Sequence, residues 1–163
     1  PRWPCALSRP LSVPFSALSF NVSQPIYSTP NEAENAFYQA LREGDFDRMM
    51  SVWAADDDIV CVHPGGPRLS GLAAVRDNWR QMLGSGNRLK IELSQPKVST
   101  NATVAVHSLL EQISSEDGNR RSPPIVATNV YLRDGRGWRM IAHHASPAPE
   151  HGDFGDLAPH TVH

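Results

Sequence analysis

Between residues 29 and 146 the apolar positions fall into runs whose period can be read directly. Ala33, Ala36, Phe37, Ala40 and Leu41 recur at helical spacing. Thr29 offers a side-chain cap, Pro30 occupies the first turn, Glu32 lies three residues past the cap, and Gly44 stops the run. Asp45 caps a second, shorter helix with Phe46, Met49, Met50 and Trp53 on its apolar face. Asp58 to His63 is β-rich and ends at Pro64-Gly65-Gly66-Pro67. Ser70 is expected to cap a third helix carrying Leu72, Val75, Trp79 and Met82, with Gly84 past its end.

The second half has a period of two. Leu89, Ile91 and Leu93 alternate with Lys90, Glu92 and Ser94. Asn101 opens a long strand through Ile113, and Glu116-Asp117-Gly118-Asn119 reads as a hairpin turn. Strands over Ile125–Leu132 and Trp138–Ala145 follow, separated by Asp134-Gly135-Arg136-Gly137. The order α-α-β-α-β-β-β-β predicts an α+β fold with a largely antiparallel sheet.

Both faces of that sheet are apolar. Val104, Val106 and Leu110 oppose Ala105, Leu109 and Ile113 on one strand, and Ile125 and Tyr131 oppose Val126, Val130 and Leu132 on the next. Three helices cover one face only. An antiparallel sheet with a wet face should be polar there, so the pattern predicts a homodimer, sheet against sheet.

Composition narrows the partners. The chain has 163 residues, 40% of them apolar, with 15 Lys/Arg against 17 Asp/Glu in a scattered arrangement. Without a basic stripe to neutralise phosphates, nucleic acid is not an expected partner. No stretch reaches the roughly 20 apolar residues that span a bilayer. Residues 1–30 hold six of the fourteen prolines and read as a flexible leader. Pro4, Pro10 and Pro14 break any signal-like core, which predicts a cytoplasmic location. Residues 147–163 read as a flexible tail. Cys5 and Cys61 make no disulfide framework, and Cys61 is expected as a buried thiol.

The ordered pieces Gly44-Asp45-Phe46-Asp47, Trp53-Ala54-Ala55-Asp56-Asp57-Asp58, His63-Pro64-Gly65-Gly66, Ser70-Gly71-Leu72-Ala73-Ala74-Val75 with Trp79, and Gly137-Trp138-Arg139-Met140-Ile141-Ala142-His143-His144-Ala145-Ser146 resemble the SnoaL-like and ketosteroid-isomerase-like branch of the nuclear-transport-factor-two-like superfamily. They are also similar to the calcium/calmodulin-dependent kinase II association domain. The resemblance spans residues 31–146 and implies a cone: a curved, mostly antiparallel sheet wrapped around three helices, with a pocket inside and a dimer on the convex face. Such a fold hosts isomerases, lyases, hydrolases and non-catalytic assembly modules.

In the ketosteroid isomerases a carboxylate base moves a proton beside a carbonyl, while a Tyr and a protonated Asp hold the enolate oxygen. By resemblance the base falls on His63, the Tyr on Phe37 and the protonated Asp on Asn129. None of the three identities is kept, which argues against steroid isomerisation by that route. The replacements still imply a catalytic site, with His63 as base or ligand anchor, Asn129 as an amide donor to a developing oxyanion and His144 as a further polar partner. Met140, Ala142, His144 and Ser146 are expected to face the pocket and His143 the convex side. Phe37, Trp53, Trp79, Val106, Ser108, Leu110, Tyr131 and Met140 are expected to line it, although the tryptophans also suit plain core packing. His107 is expected outside, at the dimer interface.

His63 and His144 lack a well-placed third ligand, and no HxH, HExxH or paired-Cys spacing occurs, so no metal is expected. No P-loop, dinucleotide fingerprint or G-x-S-x-G elbow is present, so no cofactor is implied. The resemblance therefore implies an apolar pocket for a small carbonyl or carboxylate ligand, either in a binding domain or in a cofactor-free isomerase, lyase or hydrolase with His63 as base. The alternative is a non-catalytic dimerisation and association module.

Overall fold

The computed structural model describes residues 25–84, 89–115 and 118–148. The helices are α1 (Pro30–Glu43), α2 (Phe46–Val52) and α3 (Leu72–Leu83). The strands are β1 (Val60–Val62), β2 (Arg68–Ser70), β3 (Leu89–Thr100), β4 (Val104–Ser115), β5 (Ile125–Asp134) and β6 (Gly137–Pro147). They form one six-stranded sheet in the order β2-β1-β6-β5-β4-β3, in which β1 and β6 are parallel and every other pair is antiparallel. The sheet is curved and unclosed, and the three helices lie on one side of it.

Local rules account for the helix ends. The Glu32 amide donates to Thr29 Oγ1, the Glu32 carboxylate in turn accepts from the Ser28 amide, and Gly44 closes α1 in the left-handed region at φ 69°. Asp45 caps α2 by accepting from the Arg48 amide. The third cap differs from expectation. Ser70 ends the short strand β2, which the sequence reading did not include, and Gly71 precedes α3 with φ 83° and no side-chain cap. Its amide donates instead to Ile59 O, tying the helix start to β1.

Between helices and sheet lies one core, in which Phe37, Met49, Ile59, Val75, Trp79, Tyr131 and Met140 are all buried. Each large side chain of this kind is worth about 1.5–3 kcal/mol of burial. Tyr27 joins this core through a bridge to Gly137 and a 2.8 Å hydrogen bond to Ser51, so the described chain includes six residues, 25–30, assigned by sequence to the leader. The rest of that leader (1–24) and most of the tail (149–163) lie outside the described residues.

The faces of β4 are opposite to expectation. Ala105, His107, Leu109 and Glu111 are buried against the helices, and Val104, Val106, Ser108 and Leu110 are half-exposed on the convex side. Val106, Ser108 and Leu110 therefore do not line the interior, and His107 is not on the outer face. Both sets of β4 residues contain aliphatic side chains, so a period of two fixes that the faces differ without fixing which one meets the helices.

On β6 a bulge makes the difference. Val130 pairs with Ala142 and Tyr131 with Met140, which leaves Ile141 as the extra residue. Met140 and His143, an odd number of residues apart, thus both point inward. His144 is exposed on the outer face, paired with Thr128 on β5 and Val62 on β1. Neither His144 nor Ala142 faces the interior.

Candidate functional site

His63 follows β1 on the side of Cys61, whose register partner on β6 is the inward His143. Helical spacing brings Asn78 and Trp79 of α3 to it. His63 Nε2 lies 2.9 Å from Asn78 Oδ1, and the Trp79 ring meets the imidazole edge-on at 4.8 Å between centroids. Burial lowers the His63 pKa, and the Asn78 hydrogen bond offsets part of that. The imidazole is therefore neutral at pH 7. Its Nε2–H donates to the amide oxygen, and Nδ1 keeps its lone pair. Cys61 Sγ is 3.5 Å from the same Nε2, but burial pushes the thiol up to about 12. A neutral thiol beside a neutral imidazole is no nucleophile pair.

Deeper in, Asn129 joins three elements. Its side-chain NH2 donates to Tyr38 Oη at 3.1 Å and to Glu34 Oε1 at 3.2 Å, and His143 Nδ1 lies 2.7 Å from its Oδ1. Tyr38 donates to Glu111 Oε1 at 2.6 Å, and Glu34 Oε2 is 3.0 Å from His107 Nδ1. Burial, with repulsion from His63 and His144 once acid protonates them, lowers His143 to about 3, so at neutral pH this ring is neutral and gives its Nδ1–H to Asn129. Burial also raises Glu111, with Glu34 adding to it against the Tyr38 hydrogen bond. Tyr38 is raised by burial first and then by Glu111. The cluster thus favours the uncharged forms of these three groups.

The two groups adjoin. The rings of His63 and His143 are 5.9 Å apart, and Phe37 packs on His143 at 5.1 Å and on Trp79 at 5.6 Å. Three buried polar atoms, Trp53 Nε1, Trp79 Nε1 and His107 Nε2, have no hydrogen-bond partner. Buried polar groups normally find one, and the packing of the core leaves these three without it.

Of the residues singled out by sequence, Phe37, Trp53, Trp79, Asn129, Tyr131 and Met140 are buried inside, with His63 half-buried at their edge. Val106, Ser108, Leu110 and His144 lie outside, as described above. The sequence reading did not pick out Glu34, Tyr38, Asn78 and Glu111, and it put His107 and His143 on the wrong face. A signal for the first two was present: Glu34 and Tyr38 are four residues apart and flank the apolar positions of α1, so they share a stripe beside the core. Among the described residues no group of three or more His, Cys, Asp or Glu is placed to hold a metal. A cavity of about 500 Å³ lies elsewhere, outside α1 and α2, against Tyr27, Gln39, Arg48 and Ser51.

Residues 31–150 match the SnoaL-like domain family. Among solved structures, a candidate calcium/calmodulin-dependent protein kinase type II association domain from Thiobacillus denitrificans is 40% identical, with 77% of this chain and 99% of that one covered at a TM-score of 0.68. A candidate dehydratase of the NTF2-like family from Streptomyces avermitilis is 32% identical, with 73% and 93% covered at 0.66. The F-box protein SKIP8 of Arabidopsis thaliana is 26% identical over 114 residues, 68% of this chain and 46% of that protein. The chain thus spans less than half the length of that curated relative.

Proposed function

The chain belongs to the SnoaL-like domain family, and from that premise we propose that it binds a small, largely apolar carbonyl or carboxylate compound and moves a proton on it without a cofactor, with His63 as the base. One observation carries the reading. His63 is neutral, half-buried and oriented by Asn78, so that its Nδ1 lone pair is available beside an apolar wall of Trp79 and Phe37. A base needs a fixed orientation and an unprotonated nitrogen at working pH, and both conditions are met.

Asn129 and His143 supply the polar side of the same space. Asn129 is tied by both ends to the protein, so its role is to hold His143 with Nδ1 protonated and Nε2 as an acceptor, rather than to donate directly to an oxyanion. His144 has no part in this chemistry from its place on the outer face.

The reading includes a homodimer through the convex sheet face, where Val106, Val130 and Ala142 form a half-exposed apolar row across β4, β5 and β6. It also includes a cytoplasmic location. No helix among the described residues is long and apolar enough to cross a membrane.

The test is a titration of apolar ketones and the matching carboxylates against wild type and His63→Ala, read by calorimetry and by loss of deuterium from the carbon beside the carbonyl. Binding and exchange that depend on His63 are expected. Equal behaviour of the two proteins with every compound would remove His63 from the account.

A further inference from the structure

We propose that the cavity outside α1 and α2 is a binding site, separate from the interior of the cone, for a small primary ammonium compound with an apolar body. The cavity measures about 500 Å³, a size that small ligands use. Tyr27 and Ala36, both buried, give it an apolar lining, and Gln39, Asp47, Arg48 and Ser51 add polar groups. Phe37 and Tyr38 of α1 pack toward the interior of the cone while Ala36 and Gln39 border this cavity, so the helix stands between the two sites.

The groups left over at this cavity are acceptors. Ser51 has one hydroxyl hydrogen, and its Oγ donates it to Arg48 O at 2.7 Å. Tyr27 Oη, 2.8 Å from Ser51 Oγ, is therefore the donor of that bond and keeps lone pairs on its own oxygen. Gln39 turns its Nε2 to Glu43 Oε1 at 2.9 Å and keeps its carbonyl oxygen. Asp47, in the first turn of α2, makes no ion pair among the described residues. A primary ammonium carries three N–H donors and no acceptor. It answers a phenol oxygen, an amide oxygen and a carboxylate together.

The charge balance favours the same choice. Arg48 also borders the cavity, but its Nη1 lies 2.7 Å from Glu43 Oε2 and its Nε 3.5 Å from Asp45 Oδ2. Two carboxylates already face the guanidinium, which leaves the charge of Asp47 uncompensated. An anion would meet Asp47 and an arginine whose charge is offset on another side. A neutral compound would gain only the apolar lining of Tyr27 and Ala36.

The test uses ¹⁵N-labelled protein at pH 7 with 2-phenylethylamine as the probe, which is protonated there, and with 2-phenylethanol and 3-phenylpropionate as its neutral and anionic counterparts. The expected result is a saturable shift of the Gln39 side-chain amide and of the Asp47, Arg48 and Ser51 backbone amides with the amine alone. Asp47→Asn, on an exposed side chain, is expected to weaken binding about tenfold for the loss of a charged hydrogen-bond partner. Gln39→Glu adds a second carboxylate and is expected to tighten it. Resonances unmoved up to the solubility of the amine would overturn the proposal, and so would equal binding of the alcohol, which needs only apolar contact. Unchanged affinity in both variants would have the same consequence. Shifts confined to His63 and Trp79 would also overturn it, because the amine then enters the cone, while leaving the role of His63 standing.

Discussion

His143 Nδ1 lies 2.7 Å from Asn129 Oδ1, deep between sheet and helices, on a ring that burial keeps neutral. The pair links β5 to β6 and leads through the other end of the Asn129 amide to Tyr38 and Glu34 on α1.

Acid should act through that ring. The folded-state pKa of His143 is lowered from 6.5 to about 3, so the folded protein binds fewer protons than the unfolded chain between those values. The stability it contributes is complete above 6.5 and is lost as pH falls toward 3, a change on the order of 5 kcal/mol across the window. Urea unfolding from pH 7 down to pH 4 is expected to show this decline, with a flatter dependence in His143→Gln.

Glu111 works in the opposite sense. Its pKa is raised above 4.5, so its favourable contribution is present below that value and fades as pH rises through the higher folded-state value. Gln accepts the same Tyr38 hydrogen bond and never ionises. Glu111→Gln is expected to raise the melting temperature at pH 8 by more than at pH 5, measured by calorimetry.

Asn78→Asp places a carboxylate where the amide oxygen now sits, 2.9 Å from His63 Nε2. An opposite charge at that distance favours the imidazolium. The His63 pKa is expected to rise by about one pH unit or more relative to wild type, read from NMR titration of its ring protons, and proton abstraction at pH 7 is expected to fall.

Gly137 joins the N-terminal segment to the sheet. It adopts φ 99°, and a Cβ there would come to 2.5 Å from Tyr27 O. Arg139 extends the same contact by donating to Pro25 O at 2.7 Å. Gly137→Ala is expected to cost about 2 kcal/mol or more in thermal unfolding and to free residues 25–27 to proteolysis.

Val130 faces outward between Val106 and Ala142. Val130→Glu adds a charge to that face without touching the core. Sedimentation is expected to show a shift from dimer to monomer with an unchanged circular dichroism spectrum. A wild type that is monomeric at high concentration would remove the convex-face dimer.

Much of this architecture was written in local patterns. Thr29, Pro30, Glu32 and Gly44 specify where α1 begins and ends, because capping and left-handed closure involve only neighbours. The alternation in β4 and β5 specifies strands with two unlike faces, and the order of elements specifies helices on one side of an antiparallel sheet. His63 and Asn129 are singled out by the family resemblance and not by local pattern, and the structure has the first half-buried and the second buried. What the sequence could not determine is which strand face turns inward. In β4, Val106 and Leu109 are equally apolar, and only the docking of α1 beside Glu111 and His107 decides between them. In β6, Ile141 is one residue too many for its partner strand, and the bulge that absorbs it turns His143 in and His144 out. Pairing register and helix docking are set by contacts between distant residues, and a single inserted residue exchanges the faces of a strand. The polar interior is therefore a product of tertiary structure, assembled from side chains that no local pattern brings together.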